Sequence, residues 1–451
     1  MAKDRFPKLA ISFIAPLLIL LIHPFGMNLN QSITVAALVL VVTWWSTGWV
    51  NKIIATCVLL LCFVLFSGAS PKVVFTFLLS ENFPMIALTY LFSQGITNSG
   101  LIEKVIQPFL GRHANSPHKI LLSIIIVFVL TVYLVPQPLA RLIIVASLFD
   151  KYMKNTDISS PARRVLMFGC FLFYALVNML CISADLMLNT SSLAFAGLTM
   201  NDEQWMKNMA VPVVIYGALI FGLFSLVFRK ELGEQKKVHL IMQPEKVRLE
   251  KNDKIALTII IVTVLLWVTK GLHGINATVI TLGATVAMFA VKLLSPKDLK
   301  SIDITTLVFL TGAFSIGSAM KASGSAEIIF SRMKDLFPSE YSIWYILLLA
   351  AIGKIMHLML GSNTTTLSLI IPGLMIVSRD ILSPEAIMYT AYVSVVVHSL
   401  LPFHSVAMMM GTARNYFTAK DVLRFGVPML ALMFVSIICV FLPWWQFVGI
   451  I

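Results

Sequence analysis

Gly361-Ser362-Asn363-Thr364-Thr365-Thr366-Leu367-Ser368-Leu369-Ile370-Ile371-Pro372 sets a run of small polar side chains inside apolar sequence, with residues 355–360 before it and 367–375 continuing it. At membrane depth an unsatisfied backbone group costs several kcal/mol, and a plain spanning helix has no use for such a run. A helix that breaks there does. Its freed N–H and C=O groups, with the Ser, Asn and Thr oxygens, line a cavity that holds an ion or an anion. The plainer alternative is Ser and Thr bonding back onto their own helix or joining two helices. Gly followed by Ser-Asn-Thr-Thr-Thr and closed by Pro372 is denser than that alternative requires. The stretch reads as half of a transport site.

Composition sets the class. Of 451 residues, 58% are hydrophobic and 12% charged, and the mean hydropathy is +0.90. This is an all-α polytopic membrane protein, with many apolar runs long enough to span a bilayer. The net charge of +13 does not indicate nucleic-acid binding, because Lys and Arg gather in short loops between apolar runs. Cys57, Cys62, Cys170, Cys181 and Cys439 lie within apolar runs, without metal-ligand spacing or a disulfide framework, and read as packing residues. No cofactor is implied. The basic residues Lys3 and Arg5 precede an apolar run without a cleavage pattern, so a retained first helix with a cytosolic N-terminus is expected.

The order of segments gives four regions. Residues 1–32 hold an extra transmembrane helix, 33–228 a first repeat, 229–254 a basic cytosolic linker and 255–451 a second repeat. In the first repeat, residues 83–100 are apolar but interrupted by Ser93, Gln94, Gly95, Thr97, Asn98 and Ser99, which predicts a re-entrant hairpin. Residues 120–149 predict a helix broken at Pro136-Gln137-Pro138, and 185–197 a polar break. The second repeat runs in the same order. Residues 304–330 carry Gly312, Gly317, Ser318, Ser323 and Gly324 as a second hairpin, and the Ser-Asn-Thr break and a break at 402–411 come after it. An odd number of segments per half inverts the second copy, which puts the site between the repeats near the midplane. The linker, rich in Lys and Arg, has the composition of a helix lying on the membrane surface.

Ser362-Asn363-Thr364 resembles the Ser-Asn-Thr signature of the divalent anion/sodium symporters, within the ion transporter superfamily. Segment order from about Ile33 onward, Leu310-Thr311-Gly312-Ala313 and residues 411–426 with Asp421 carry the resemblance further. It implies an elevator-type homodimer in the lipid bilayer. It also implies two such motifs, each near a sodium ion, with a carboxylate or sulfate substrate between them. This chain keeps one. At the first break Gln137 supplies an amide, and the companion loops, Thr-Pro-Pro-Asn in the family, read here as Leu188-Asn189-Thr190-Ser191-Ser192 and Pro402-Phe403-His404-Ser405.

The candidate substrate-binding residues are Ser362, Asn363, Thr364, Asn189, Thr190, Gln137, Arg141, His404 and Ser405, and Asn363 with Gly317 forms the expected sodium site. Arg141 has two readings. Its guanidinium stands in for the missing sodium, paired with Asp185 or facing an anionic substrate, or it reaches the interface to pair with Asp150 or lipid phosphate. His404 either binds substrate, titrates in a proton-coupled cycle or is structural. Lys354 and His357 share a helical face and lean structural, and His398 stays unassigned. The function these residues suggest is secondary transport of a small anion, a dicarboxylate or similar oxyanion, coupled to Na⁺ or H⁺. An exchanger, exporter or antiporter of the superfamily is the first alternative. An intramembrane transferase is the second, weakened by the scarcity of acids outside the loops.

Overall fold

Capping residues divide the apolar sequence into helices. The computed structural model describes residues 10–133, 135, 137–233, 235, 237–241, 250–269, 273–334, 337–378, 380–397 and 400–451. Helix α1 (Ile14–Ile22) stops at His23, and α2 (Leu29–Thr47) starts on a reciprocal box: Gln31 N–H donates to Asn28 Oδ1 and Asn28 N–H to Gln31 Oε1, both at 2.9 Å. This places the start of α2 inside the stretch expected to belong to the extra helix. Helix α3 (Lys52–Phe66) and two one-turn helices lead to α4 (Asn82–Ser99), α5 (Leu101–His113), α6 (Pro117–Thr131) and α7 (Pro138–Lys154). Then come α8 (Ser160–Val177), a 3-10 turn (Ile182–Asp185), α9 (Leu186–Phe195) and α10 (Asp202–Val227).

The same order recurs after the linker. It runs α11 (Lys251–Val268), α12 (Ala277–Ala290), α13 (Ile304–Ala322), α14 (Ser325–Lys334), α15 (Ile343–Leu360), α16 (Asn363–Ser378), α17 (Pro384–Val396), a 3-10 turn (Pro402–His404), α18 (Val406–Ala413) and α19 (Ala419–Ser436). Among the described residues, five stretches are long and apolar enough to cross a membrane: α8, α10, α13, α15 and residues 419–447. Leu219 and Leu226 of α10 and Val427 and Val435 of α19 are exposed, as lipid-facing side chains are.

Polar contacts tie helix ends on two faces. On one, Lys104 pairs with Asp253 at 2.7 Å, Asn98 donates to Leu293 O at 2.9 Å, Arg164 pairs with Asp421 at 3.3 Å, and Arg424 pairs with Glu231. On the other, Gln31 donates to Ser323 O at 3.0 Å, Asn276 to Glu81 at 2.7 Å and Trp444 to Lys207 O at 2.9 Å. Among the described residues, apolar packing forms two cores. The larger holds α6 to α10 and α15 to α19, and the smaller is built from α2, α3 and α13.

Hairpins and unbroken helices exchange the places expected of them. Ser93 to Asn98 stay inside α4, where Thr97 Oγ1 returns to Ser93 O and Gln94 meets Asn98. Gly312 and Gly317 stay inside α13. Gly312 serves close packing, because a Cβ there would stand 2.6 Å from Thr56 Cγ2. The reversals occur at the two breaks instead. His357 Nδ1 and Thr366 Oγ1 are 3.5 Å apart, whereas nine residues of straight helix would separate them by about 13 Å. Helices α15 and α16 therefore fold back on each other. Helices α6 and α7 do likewise around residues 132–137, where Arg141 reaches back to Val132 and Val135.

In the linker, Arg229–Gly233 form a short helix and residues 237–241 a strap, while 242–249, on which the expected surface helix also falls, lie outside the described residues. Val238 N–H donates to Asn115 O at 2.9 Å, Ile241 N–H to Asn155 O at 3.0 Å and Asp157 N–H to His239 O at 3.1 Å. The strap lies across the loops at both ends of the α6–α7 hairpin. Cys170 and Cys181 are buried in the larger core, while Cys57 and Cys439 face outward from apolar helices.

Candidate functional site

The α15–α16 hairpin turns on Gly361, whose left-handed φ of 63° carries no Cβ penalty. Ser362 caps α16, its Oγ accepting from Thr365 N–H at 3.4 Å and from Thr365 Oγ1 at 3.1 Å. Asn363 and Thr364 stand half-buried in the first turn, beside backbone N–H groups that favour an anion. Thr365, Thr366 and Ser368 are buried, and Ser368 returns its hydroxyl to Thr365 O at 2.9 Å. Gly317 does not join Asn363. A Cβ on Gly317 would touch Pro372 at 3.5 Å, and Pro372 lies about 13 Å along α16 from Asn363.

Gln137 is the counterpart of Ser362. It caps α7 by accepting from Ala140 N–H, Pro138 takes the first helical position, and Ser93 Oγ accepts from Gln137 N–H at 3.3 Å. Registering the hairpins on their caps pairs Pro138 with Asn363, so the Asn363 amide has no counterpart. Gln137 also lines a small cavity of about 20 Å³ with Thr89, Tyr90, Leu186 and Met187. Pro136 lies outside the described residues.

Arg141 is fully buried and faces the protein, not a substrate cavity. Its Nη1 donates to Val132 O at 3.2 Å and Val135 O at 3.0 Å, and its Nη2 to Asn178 Oδ1 at 2.5 Å and to Ala184 O. Asp185 meets it through a relay: Asn178 Nδ2 donates to Asp185 Oδ2 at 3.4 Å, while Asp185 Oδ1 caps α9 by accepting from Leu188 N–H at 3.1 Å. Asp150 is not its partner, being held by Lys154 at 2.8 Å and Arg163 at 2.5 Å. An unsupported Arg at membrane depth costs about 2.5–3.5 kcal/mol on insertion scales, which this oxygen cage offsets.

The companion break also moves. The irregular backbone spans residues 178–185, and Leu188 to Ser192 belong to α9. Asn189 is buried and committed, donating to Asn178 O and Cys181 O at 2.9 Å each and accepting from the Tyr392 hydroxyl of α17. Thr190 Oγ1 returns to Leu186 O within its own helix. In the second break Ser405 is half-buried at the start of α18, and His404 is buried, with Nδ1 accepting from Leu401 N–H at 3.3 Å. The His404 ring lies 6.0 Å from that of His357, and Lys354 is buried on the same face of α15 as His357. His398 lies outside the described residues.

One helical hairpin thus turns on a capped, half-buried Ser-Asn-Thr run and a second on the capping Gln137. The family described as the sodium:sulfate symporter transmembrane region matches residues 3–451. The chain belongs to that family. Among solved structures, the YdaH transporter of Alcanivorax borkumensis, described as having an unusual topology, shares the fold: its TM-score is 0.57 at 16% identity, over 84% of this chain and 88% of that one. No curated protein matches in sequence.

In this symporter-family chain, sequence reasoning missed Asn178, Ser93 and Tyr392. Asn178 follows the apolar run 165–177 as a lone amide, a weak signal that gains meaning only once Arg141 and Asp185 converge on it. Ser93 and Tyr392 sit inside regular helices; the sequence marks Ser93 only as one of the polar residues taken for a hairpin, and nothing in spacing marks Tyr392.

Proposed function

We propose that the chain is a secondary active transporter that moves a small anion, a dicarboxylate or similar oxyanion, across the cell membrane, driven by sodium bound at the second hairpin. One observation carries this reading: α7 and α16 each begin at a polar cap, Gln137 and Ser362, inside apolar sequence. Capped helix starts of this kind stabilise anions with their N–H groups, and the oxygen of Asn363 suits a hard cation. Ser362, Thr364 and Gln137 face the anion in this reading, and Ser405 and His404 close the site from the second break.

The recurrence of α2 to α10 as α11 to α19 supports an inverted repeat, because α10 ends on the face where its counterpart α19 begins, with Glu231 paired to Arg424, and that face carries the basic loops. That face is the cytosolic one by charge, and the N-terminus belongs with it. The separation into two cores supports an elevator, in which the body carrying both hairpins moves past one built on α2, α3 and α13. The protein works as a homodimer in this reading. A second reading, anion exchange without sodium, draws support from the guanidinium held at the first hairpin.

The test is uptake of labelled sulfate and labelled succinate into liposomes containing the purified protein. An inward sodium gradient is compared with choline, with and without internal anion. Accumulation of one anion only with external sodium is the expected result. Uptake that requires internal anion and ignores sodium would replace the symporter with the exchanger, and no uptake of either anion under any condition would overturn the anion-transport reading.

A further inference from the structure

Four oxygens converge at the turn of the first hairpin. Val132 O and Val135 O come from the turn itself, Asn178 Oδ1 from the end of α8, and Ala184 O from the 3-10 turn before α9. Three are main-chain carbonyls released by broken helices, and the fourth is a neutral amide. Such a set of partial negative charges repels itself unless a cation sits among them, and rings of this chemistry replace the hydration shell of monovalent metal ions. Here the cation is part of the chain. Four of the five N–H donors of the Arg141 guanidinium occupy the cage, so the residues present do not fit a sodium ion at this hairpin.

One turn after the cap the two hairpins differ in charge. Arg141 is the fourth residue after the capping Gln137, and the fourth after the capping Ser362 is Thr366, a neutral hydroxyl. We propose that Arg141 is a tethered cation that permanently fills a monovalent-cation site between α6, α8 and α9, leaving metal binding to the second hairpin alone. Asp185, linked through Asn178, balances its charge locally. The guanidinium therefore organises the turn without being spent on the substrate. One fewer coupling ion per transport cycle is the consequence, and only that consequence rests on the transport reading.

The test needs no substrate. Wild-type protein, Arg141→Ala and Arg141→Gln are purified in detergent and melted in choline chloride, sodium chloride and choline chloride with low-millimolar guanidinium chloride. The wild-type response is subtracted from each variant's to remove any second site. Arg141→Ala is expected to melt lower than wild type in choline and to regain a saturable part of the loss with sodium or guanidinium. If Arg141→Ala fails to fold, Arg141→Gln keeps an amide donor in the cage and carries the same expectation at smaller amplitude. Melting temperatures of the folded variants that follow the wild type's salt response without saturation would overturn the assignment. Failure here leaves the liposome result untouched, and failed uptake leaves this result standing.

Discussion

Tyr392 of α17 donates its hydroxyl hydrogen to Asn189 Oδ1 of α9, joining the two halves of the chain at the first break. Both residues are fully buried, and the Asn189 amide hydrogens hold Asn178 O and Cys181 O. A single contact between the halves thereby fixes the irregular backbone whose carbonyl at Ala184 cages Arg141. Tyr392→Phe leaves a buried acceptor without its donor, which costs about 1–3 kcal/mol. A melting temperature lowered by several degrees in detergent is the expected outcome, with a larger fall for Asn189→Leu, which abandons three bonds.

Asn178 lies between the buried Arg141 guanidinium of the first hairpin and the half-buried Asp185 carboxylate of the turn before α9. Asn178→Leu is close in volume but removes the acceptor for Arg141 and the donor for Asp185, and stranding buried charges costs about 3–5 kcal/mol. Asn178→Asp places a carboxylate directly against the guanidinium and is expected to be the milder of the two. Thermal melting of the pair checks the order, and equal stability would show that the relay carries no weight.

At the second hairpin, Asn363→Ala is expected to raise the sodium concentration for half-maximal uptake at least tenfold, which corresponds to about 1.4 kcal/mol. Gly317→Ala is expected to leave it unchanged. Its new methyl meets Pro372 at an ordinary 3.5 Å, well away from Asn363. Sodium titrations of uptake in liposomes separate the two.

Close helix packing predicts a matched pair of glycine substitutions. Gly312→Ala brings a methyl to 2.6 Å from Thr56 Cγ2, an overpacking that costs about 1–3 kcal/mol. Adding Thr56→Ser removes that methyl and is expected to recover most of the loss. Gly283→Ala, with nothing within 4 Å, is expected to stabilise α12 by up to about 1 kcal/mol. Melting temperatures of the three variants provide the check.

The linker strap is expected to loosen in acid. The His239 N–H, donating to Asp157 at 2.8 Å, and the His239 ring at 3.2 Å hold the Asp157 carboxyl below its ordinary range. A carboxyl whose folded pKa is depressed supports the strap above its unfolded value of about 3.9 and loses that support as pH falls through the folded value. Hydrogen exchange at the His239 amide is expected to stay slow at neutral pH and to quicken, beyond the intrinsic rate, only below about pH 4. Asp157→Asn is expected to quicken it at neutral pH.

The polar run at 361–366 determined by itself that a helix must break there, because Gly361 cannot continue α15 and Ser362 caps the start of α16. Repeating segment order made the two-part architecture legible for the same reason: caps, prolines and apolar lengths are local properties. Which segments fold back was not local. Polar residues in α4 and α13 look like breaks but satisfy themselves within the helix or against a neighbour, as Asn98 does with Leu293 O. The reversals at 132–137 and 361–362 depend on contacts between residues far along the helix axis.

Arg141 shows the same division at one residue. Its type and its place one turn beyond Gln137 announced a cation near the first break. Only the tertiary structure decided what it meets, because Val132, Val135, Asn178 and Ala184 come from separate turns that converge in space. A charge in a low-dielectric interior takes whichever oxygens surround it, and those are set by how the helices pack.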